Sequence, residues 1–159
     1  MPGQLRCDAL DLSANSMVER LTKALTELAR DAANTHRLEV DRRYYFHLPD
    51  GSITTKAGWY IICNADHSPL YVGSTNNLNS RLNTDDGSRD NFANPTRTTD
   101  PERNFIKAFA SKGIIGPLQV VVIPERALCE NLNLQGPLTN RDRGNVEKCL
   151  NIFREGILR

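Results

Sequence analysis

Two short runs constrain this chain more than any other feature. Trp59-Tyr60-Ile61-Ile62-Cys63 and Leu70-Tyr71-Val72-Gly73 are rich in aromatic and β-branched residues. Such residues fit a pleated, half-buried surface, so each run predicts a strand. Between them, Asn64-Ala65-Asp66-His67-Ser68-Pro69 supplies turn chemistry. The pair predicts a β-hairpin. With the turn centred at Ala65 and Asp66, Tyr60 and Tyr71 become cross-strand neighbours with both phenols on one face. Gly73 follows Tyr71 by two and shares that face, where a glycine leaves room for another backbone or a ligand. Aromatic pairs are ordinary in hairpins, so the two tyrosines alone do not make a site.

The remaining pattern says what covers the hairpin. Residues 14–33 predict a helix capped by Ser13, with Met17, Leu21, Leu25 and Leu28 recurring every three or four positions. Residues 42–47 read as a short strand or a loop entering the core, and His47 as a structural histidine. Pro49-Asp50-Gly51 marks a turn. Asn76 caps a helix through Leu82, with Leu78 and Leu82 facing inward. Residues 83–99 form a long polar loop, and loops of that length in a compact domain are often functional. Pro101 starts a helix carrying Phe105, Ile106 and Phe109. Residues 118–123 are almost continuously apolar and predict a central, buried strand. A short helix over 126–133 and a loop over 135–143 follow. Val146, Cys149, Leu150 and Phe153 then mark a last helix. The order predicts an α+β fold: a small three-stranded antiparallel sheet flanked by helices, with an extra N-terminal helix. The expected division is a helical extension over 1–56 and the main domain over 57–159.

Composition excludes several classes. With 39% hydrophobic and 25% charged residues in a chain of 159, the balance is globular. No apolar run reaches a bilayer-spanning length, and the first residues lack a secretory signal. An intracellular, soluble protein without a membrane partner is expected. Four cysteines are scattered without a Cys-x-x-Cys pair, which argues for free thiols and against zinc. The net charge of +1 gives little support to a nucleic-acid partner by itself. Arg81, Arg89, Arg97, Arg103, Lys107 and Lys112 follow the hairpin, but Asp85, Asp86, Asp90, Asp100 and Glu102 lie among them.

Gly58-Trp59-Tyr60, then Tyr71-Val72-Gly73-Ser74-Thr75, then a helix ending in Ser80-Arg81-Leu82, resembles the GIY-YIG nuclease family. That family includes homing endonucleases, restriction enzymes and the incision subunit of nucleotide excision repair. Its signature pairs Gly-Ile-Tyr with Tyr-Ile-Gly across a spacer like the one here. Trp59 replaces the usual aliphatic residue, and Val72 stands for isoleucine. The resemblance spans roughly residues 57–155 and is strongest over 58–82. It implies a divalent-metal-dependent DNA endonuclease. Gly58 and Gly73 would be the motif glycines. Tyr60 would position or deprotonate the attacking water, and Tyr71 would bind the phosphate or water network. Arg81 would stabilise charge growing on the phosphate. Glu147, on the late amphipathic helix, would be the sole protein ligand of one Mg²⁺ or Mn²⁺ ion. Arg89, Arg103 and Lys107 are candidate DNA contacts.

Two features depart from the family. Many members carry His, Tyr or Lys one helix turn past the arginine, where this chain has Asp85. Many also carry an asparagine well past the glutamate, at a spacing that would fall beyond Arg159. Asn151, one turn from Glu147, is a substitute in reach, although a surface role suits it better. These departures motivate the alternative reading, a catalytically impaired nucleic-acid-binding or scaffolding module with the same fold.

Overall fold

The computed structural model describes residues 10, 12–40, 46–49, 53–83 and 118–158. Four helices are described: α1 (Asn15–Arg30), α2 (Leu78–Leu82), α3 (Glu125–Leu132) and α4 (Asn140–Leu158). Five strands, β1 (Thr35–Val40), β2 (Phe46–His47), β3 (Gly58–Cys63), β4 (Pro69–Thr75) and β5 (Leu118–Pro124), form one sheet in the order β2-β1-β5-β3-β4. Every pairing is antiparallel. The fold is α+β, and β4-β3-β5 is the three-stranded sheet expected from the hairpin and the apolar run.

Two strands extend that sheet beyond the expectation. β1 pairs with β5, and β2 with β1. The sequence of β1, Thr-His-Arg-Leu-Glu-Val, is too polar to read as a strand: among its described side chains only Leu38 is fully buried, and Arg37 is exposed. Pairing with β5, not hydrophobic alternation, holds it. β5 sits in the middle of the sheet, as its apolar run predicts.

β3 is buried along its whole length because the sheet is covered on both faces. Trp59, Ile61, Cys63, Val121 and Ile123 pack with Leu21 and Leu25 of α1, Leu128 of α3, and Val146 and Leu150 of α4. Tyr60, Ile62, Val120 and Val122 face the other way, toward Leu38, Leu48, Leu78 and Leu82. Burying each large aliphatic side chain contributes roughly 1.5–3 kcal/mol. The first helix therefore shares its core with the hairpin.

Several boundaries differ from expectation for local reasons. α1 starts after Ala14, whose carbonyl accepts from the N–H groups of Met17 and Val18, and Ala14, not Ser13, holds the N-cap position. α2 is capped one residue later than expected, by Asn77, whose side chain accepts from the Ser80 N–H. α4 begins at Asn140, well inside the expected loop. Thr139 explains this: its hydroxyl accepts from the Asp142 N–H and its carbonyl from the Arg143 N–H. Phe153, expected on the buried stripe of α4, is exposed, and the stripe continues instead through Ile157.

Candidate active site

The hairpin register sets the site. Tyr60 pairs with Gly73, and Tyr71 with Ile62, so the two tyrosines are diagonal neighbours and not directly opposite as expected. The turn is the cause. Asn64 and Ser68 close it with a 2.9 Å hydrogen bond, His67 takes a positive φ of 66°, and the ladder is irregular at Ile62/Cys63. The turn thus sits further along the chain than Ala65-Asp66. The shift is by two residues, so both phenols still share one face. Their rings stack with centroids 6.2 Å apart at 27°.

Both motif glycines are required by close approach. A Cβ on Gly73 would overlap the Tyr60 ring and phenol oxygen. The room at Gly73 is taken by Tyr60 itself, not by a ligand or a passing backbone. A Cβ on Gly58 would lie 2.5 Å from the Ile123 carbonyl oxygen and 2.7 Å from Leu78 Cδ1. Gly58 therefore lets β3 sit close to β5 and to α2.

α2 follows β4 after a short turn in which the Thr75 hydroxyl accepts from the Asn77 N–H. The Leu78 and Asn79 N–H groups donate to the carbonyls of Lys56 and Thr54. These bonds fix α2 beside the start of β3, and Leu78 and Leu82 are its buried face. Arg81 is thereby left to line a groove of ≈ 370 Å³. The opposite wall is α4, carrying Asn140, Arg143, Gly144 and Glu147.

Glu147 reaches the groove from the other side of the sheet. β4 is an edge strand, so side chains from both faces meet along it. Ser74, of opposite parity to Gly73, points toward α4, and its hydroxyl donates to Glu147 Oε2 at 3.1 Å. Of the four expected residues, Arg81 and Glu147 line the groove, whereas Tyr60, which is buried, and Tyr71 are not part of its lining. Burial, then the Tyr71 phenol, pushes the Tyr60 phenol above its ordinary pKa, with Arg81 opposing and Glu147 adding to the rise. Burial and Glu147 raise Tyr71 as well, again opposed by Arg81. Arg81 and Glu147 are thus close enough for their charges to act on both phenols.

A further layer was not legible in the sequence. Arg143 pairs with Glu125 through Nε–Oε1 at 2.5 Å and Nη2–Oε2 at 3.2 Å. Trp59 Nε1 donates to the Arg143 carbonyl at 3.2 Å, and the Glu125 N–H to the Ala57 carbonyl at 3.1 Å. Trp59 thus has a use that an aliphatic residue lacks: it ties β3 to the first turns of α4, one turn before Glu147. The only early sign of this layer is Thr139 with Asp142, a helix-start pattern that would have placed Arg143 on α4.

Asn151 does not join the cluster. It is exposed, and its Nδ2 donates to the Glu147 backbone carbonyl at 3.1 Å. Asp85, Arg89, Arg103 and Lys107 lie outside the described residues. His47 sits in β2, away from the groove. Cys63, Cys129 and Cys149 are buried free thiols, and burial raises the pKa of each. No described helix is long and apolar enough to cross a membrane.

The donor set at the groove suits one hard cation held mainly by non-protein ligands. Glu147 supplies one partly exposed carboxylate, while the Glu125 carboxylate is already engaged by Arg143. Among the described residues no group of three or more His, Cys, Asp or Glu converges to form a cage. A Mg²⁺-like ion bound by one carboxylate, water and phosphate oxygens is compatible with that set.

Comparison with curated proteins and with solved structures finds no match. Residues 56–114 match the family model described as the GIY-YIG catalytic domain. The matched segment contains β3, β4 and α2, and with them Tyr60, Tyr71 and Arg81. That match supports membership of the GIY-YIG nuclease superfamily and, in general terms, a nuclease-type function.

Proposed function

We propose that the chain is a divalent-metal-dependent DNA endonuclease whose active site is the cluster Tyr60, Tyr71, Arg81 and Glu147. The observation that carries this reading is the meeting of Arg81 and Glu147 in one groove beside the stacked tyrosines. Side chains from α2 and from α4, elements distant in sequence, converge there, and a purely structural hairpin does not require them to do so.

Each residue has a role that its surroundings support. Arg81 offers a planar, permanently charged donor set to the non-bridging oxygens of the phosphate. Glu147 would hold one Mg²⁺ or Mn²⁺ ion, with Ser74 fixing one of its oxygens. The ion would supply Lewis acidity at the phosphate and a hydrated coordination shell. Tyr60 is buried and held protonated, so its hydroxyl serves as a hydrogen-bond donor that orients the nucleophilic water or the phosphate, and not as a resident base. Tyr71, stacked on Tyr60, extends the polar wall of the site. Arg89, Arg103 and Lys107 are proposed to track the DNA backbone away from the cut.

The test is incubation of supercoiled plasmid and linear duplexes with the full chain in Mg²⁺, in Mn²⁺ and in EDTA. Nicked or linear products that need the metal are expected. Their absence with both metals on varied DNA would overturn the reading.

A further inference from the structure

Among the described residues, four charged side chains line the groove: Arg81, Arg143, Glu125 and Glu147. Two positive and two negative charges sum to zero. Arg81 and Glu147 are absorbed by the proposed chemistry, but Arg143 and Glu125 are not.

Their geometry is unlike that of a simple surface pair. Glu125 is nearly closed off, with a side chain 10% exposed, whereas that of Arg143 is 29% exposed. The guanidinium spends one edge, Nε with Nη2, on the two carboxylate oxygens. A guanidinium has five N–H groups in a rigid fork, so that pairing leaves donors on its other edges. Nη1 touches only the rim of Asn140, at 3.5 Å from Oδ1. The backbone is fixed too, since the Arg143 carbonyl accepts from Trp59 Nε1. Arg143 is thus a cation oriented in advance on the wall of the groove.

Its position relative to Glu147 is also set. The two are one helix turn apart on α4, which places their Cβ atoms roughly 5–6 Å apart on one face. That step is comparable with the spacing of successive phosphates along a strand. With one divalent ion at Glu147, the summed charge of these described residues complements two phosphates.

We infer that Arg143, braced by Glu125, is a second phosphate-binding residue, contacting a phosphate that flanks the scissile one. The inference rests on the nuclease reading above. Arg81 then serves the phosphate being cut, and Arg143 fixes the register of the strand beside it. Holding the flanking phosphate limits the angles at which a strand can enter, which aligns the scissile bond for attack.

The test uses duplex DNA whose cleavage position has been mapped with the wild-type chain. The linkages on either side of the cut are replaced, one at a time, by an uncharged methylphosphonate. Cleavage is then followed at sub-saturating protein. One flanking replacement is expected to slow the wild-type chain roughly tenfold, the size of a lost charge-assisted hydrogen bond. The double variant Glu125→Gln/Arg143→Gln keeps a hydrogen-bonded pair of similar shape without charge. It should cut unmodified DNA more slowly by a similar factor and show no further loss at that linkage. A wild-type chain indifferent to every flanking replacement overturns the inference, whether or not the variant folds. So does a variant that stays as sensitive as the wild type. A wild-type chain that cuts no DNA at all fails the nuclease reading itself, and the inference falls with it.

Discussion

At the residue scale, the two motif glycines answer different demands and should fail differently. Gly58 faces a backbone carbonyl, which cannot step aside, whereas Gly73 faces the end of the Tyr60 side chain. Gly58→Ala should lower the unfolding free energy by about 3 kcal/mol, and Gly73→Ala by about 1–2 kcal/mol, by the usual scale of overpacking. Urea denaturation gives the order, and the reverse order would contradict the geometry. Gly73→Ala should nevertheless lose most cleavage activity, because Tyr60 must move. Tyr60 itself yields a second prediction. Its phenol is pushed above its ordinary pKa by burial and by Tyr71, so it stays protonated at working pH. Tyr60→Phe should slow cleavage about a hundredfold, the typical effect of one lost preorganised donor. The shape of the pH–rate profile between neutrality and mild alkali should not change. Loss of an ionisation step in the variant would show instead that Tyr60 acts as the base.

At the scale of elements, the Trp59 indole links β3 to α4 through the Arg143 carbonyl. Trp59→Phe keeps most of the buried ring but removes that bond. It should destabilise by about 1 kcal/mol, against about 3–5 kcal/mol for Trp59→Ala, as measured by chemical denaturation. Equal losses would mean that packing alone holds Trp59. These links also mark the limits of what the chain shows before it folds. The hairpin, the central β5 and the inward face of α2 were legible, because each is written in contiguous residues whose period or turn chemistry is local. Tyr60, Tyr71, Arg81 and Glu147 were picked out through a family pattern, and of these Arg81 and Glu147 line one groove. The register was off by two, since it depends on a turn whose shape is set by His67 and the irregular ladder at Cys63. β1 was missed because its stability comes from a partner strand far along the chain. Ser74 and the Glu125–Arg143 pair were missed for the same reason. A hydrogen bond spanning β4 and α4, or an ion pair spanning α3 and α4, leaves no trace in local pattern.

At the scale of the whole molecule, the sheet is sealed on both faces, and burial holds the Tyr60 phenol and the Cys63 thiol protonated. Burial raises the Cys63 thiol from 9.0 to about 12. A raised pKa means the folded state keeps a proton that the unfolded chain releases. The corresponding stability is fully present below about pH 9 and is lost as pH rises toward about 12. Urea midpoints should therefore fall through that window, and Cys63→Ala should flatten the fall. The same two-faced arrangement underlies the proposed site. Tyr60, Tyr71 and Arg81 come from one side of the hairpin, and Glu147 reaches the groove from the helix layer on the other. The account stands or falls on whether that meeting point is catalytic. The most direct measurement is single-turnover cleavage of plasmid DNA in Mg²⁺ and Mn²⁺ by the wild-type chain and by Glu147→Ala, with both folded by circular dichroism. Metal-dependent cleavage by the wild type is expected, with a loss of about a hundredfold or more in the variant. Equal cleavage by the two would contradict it.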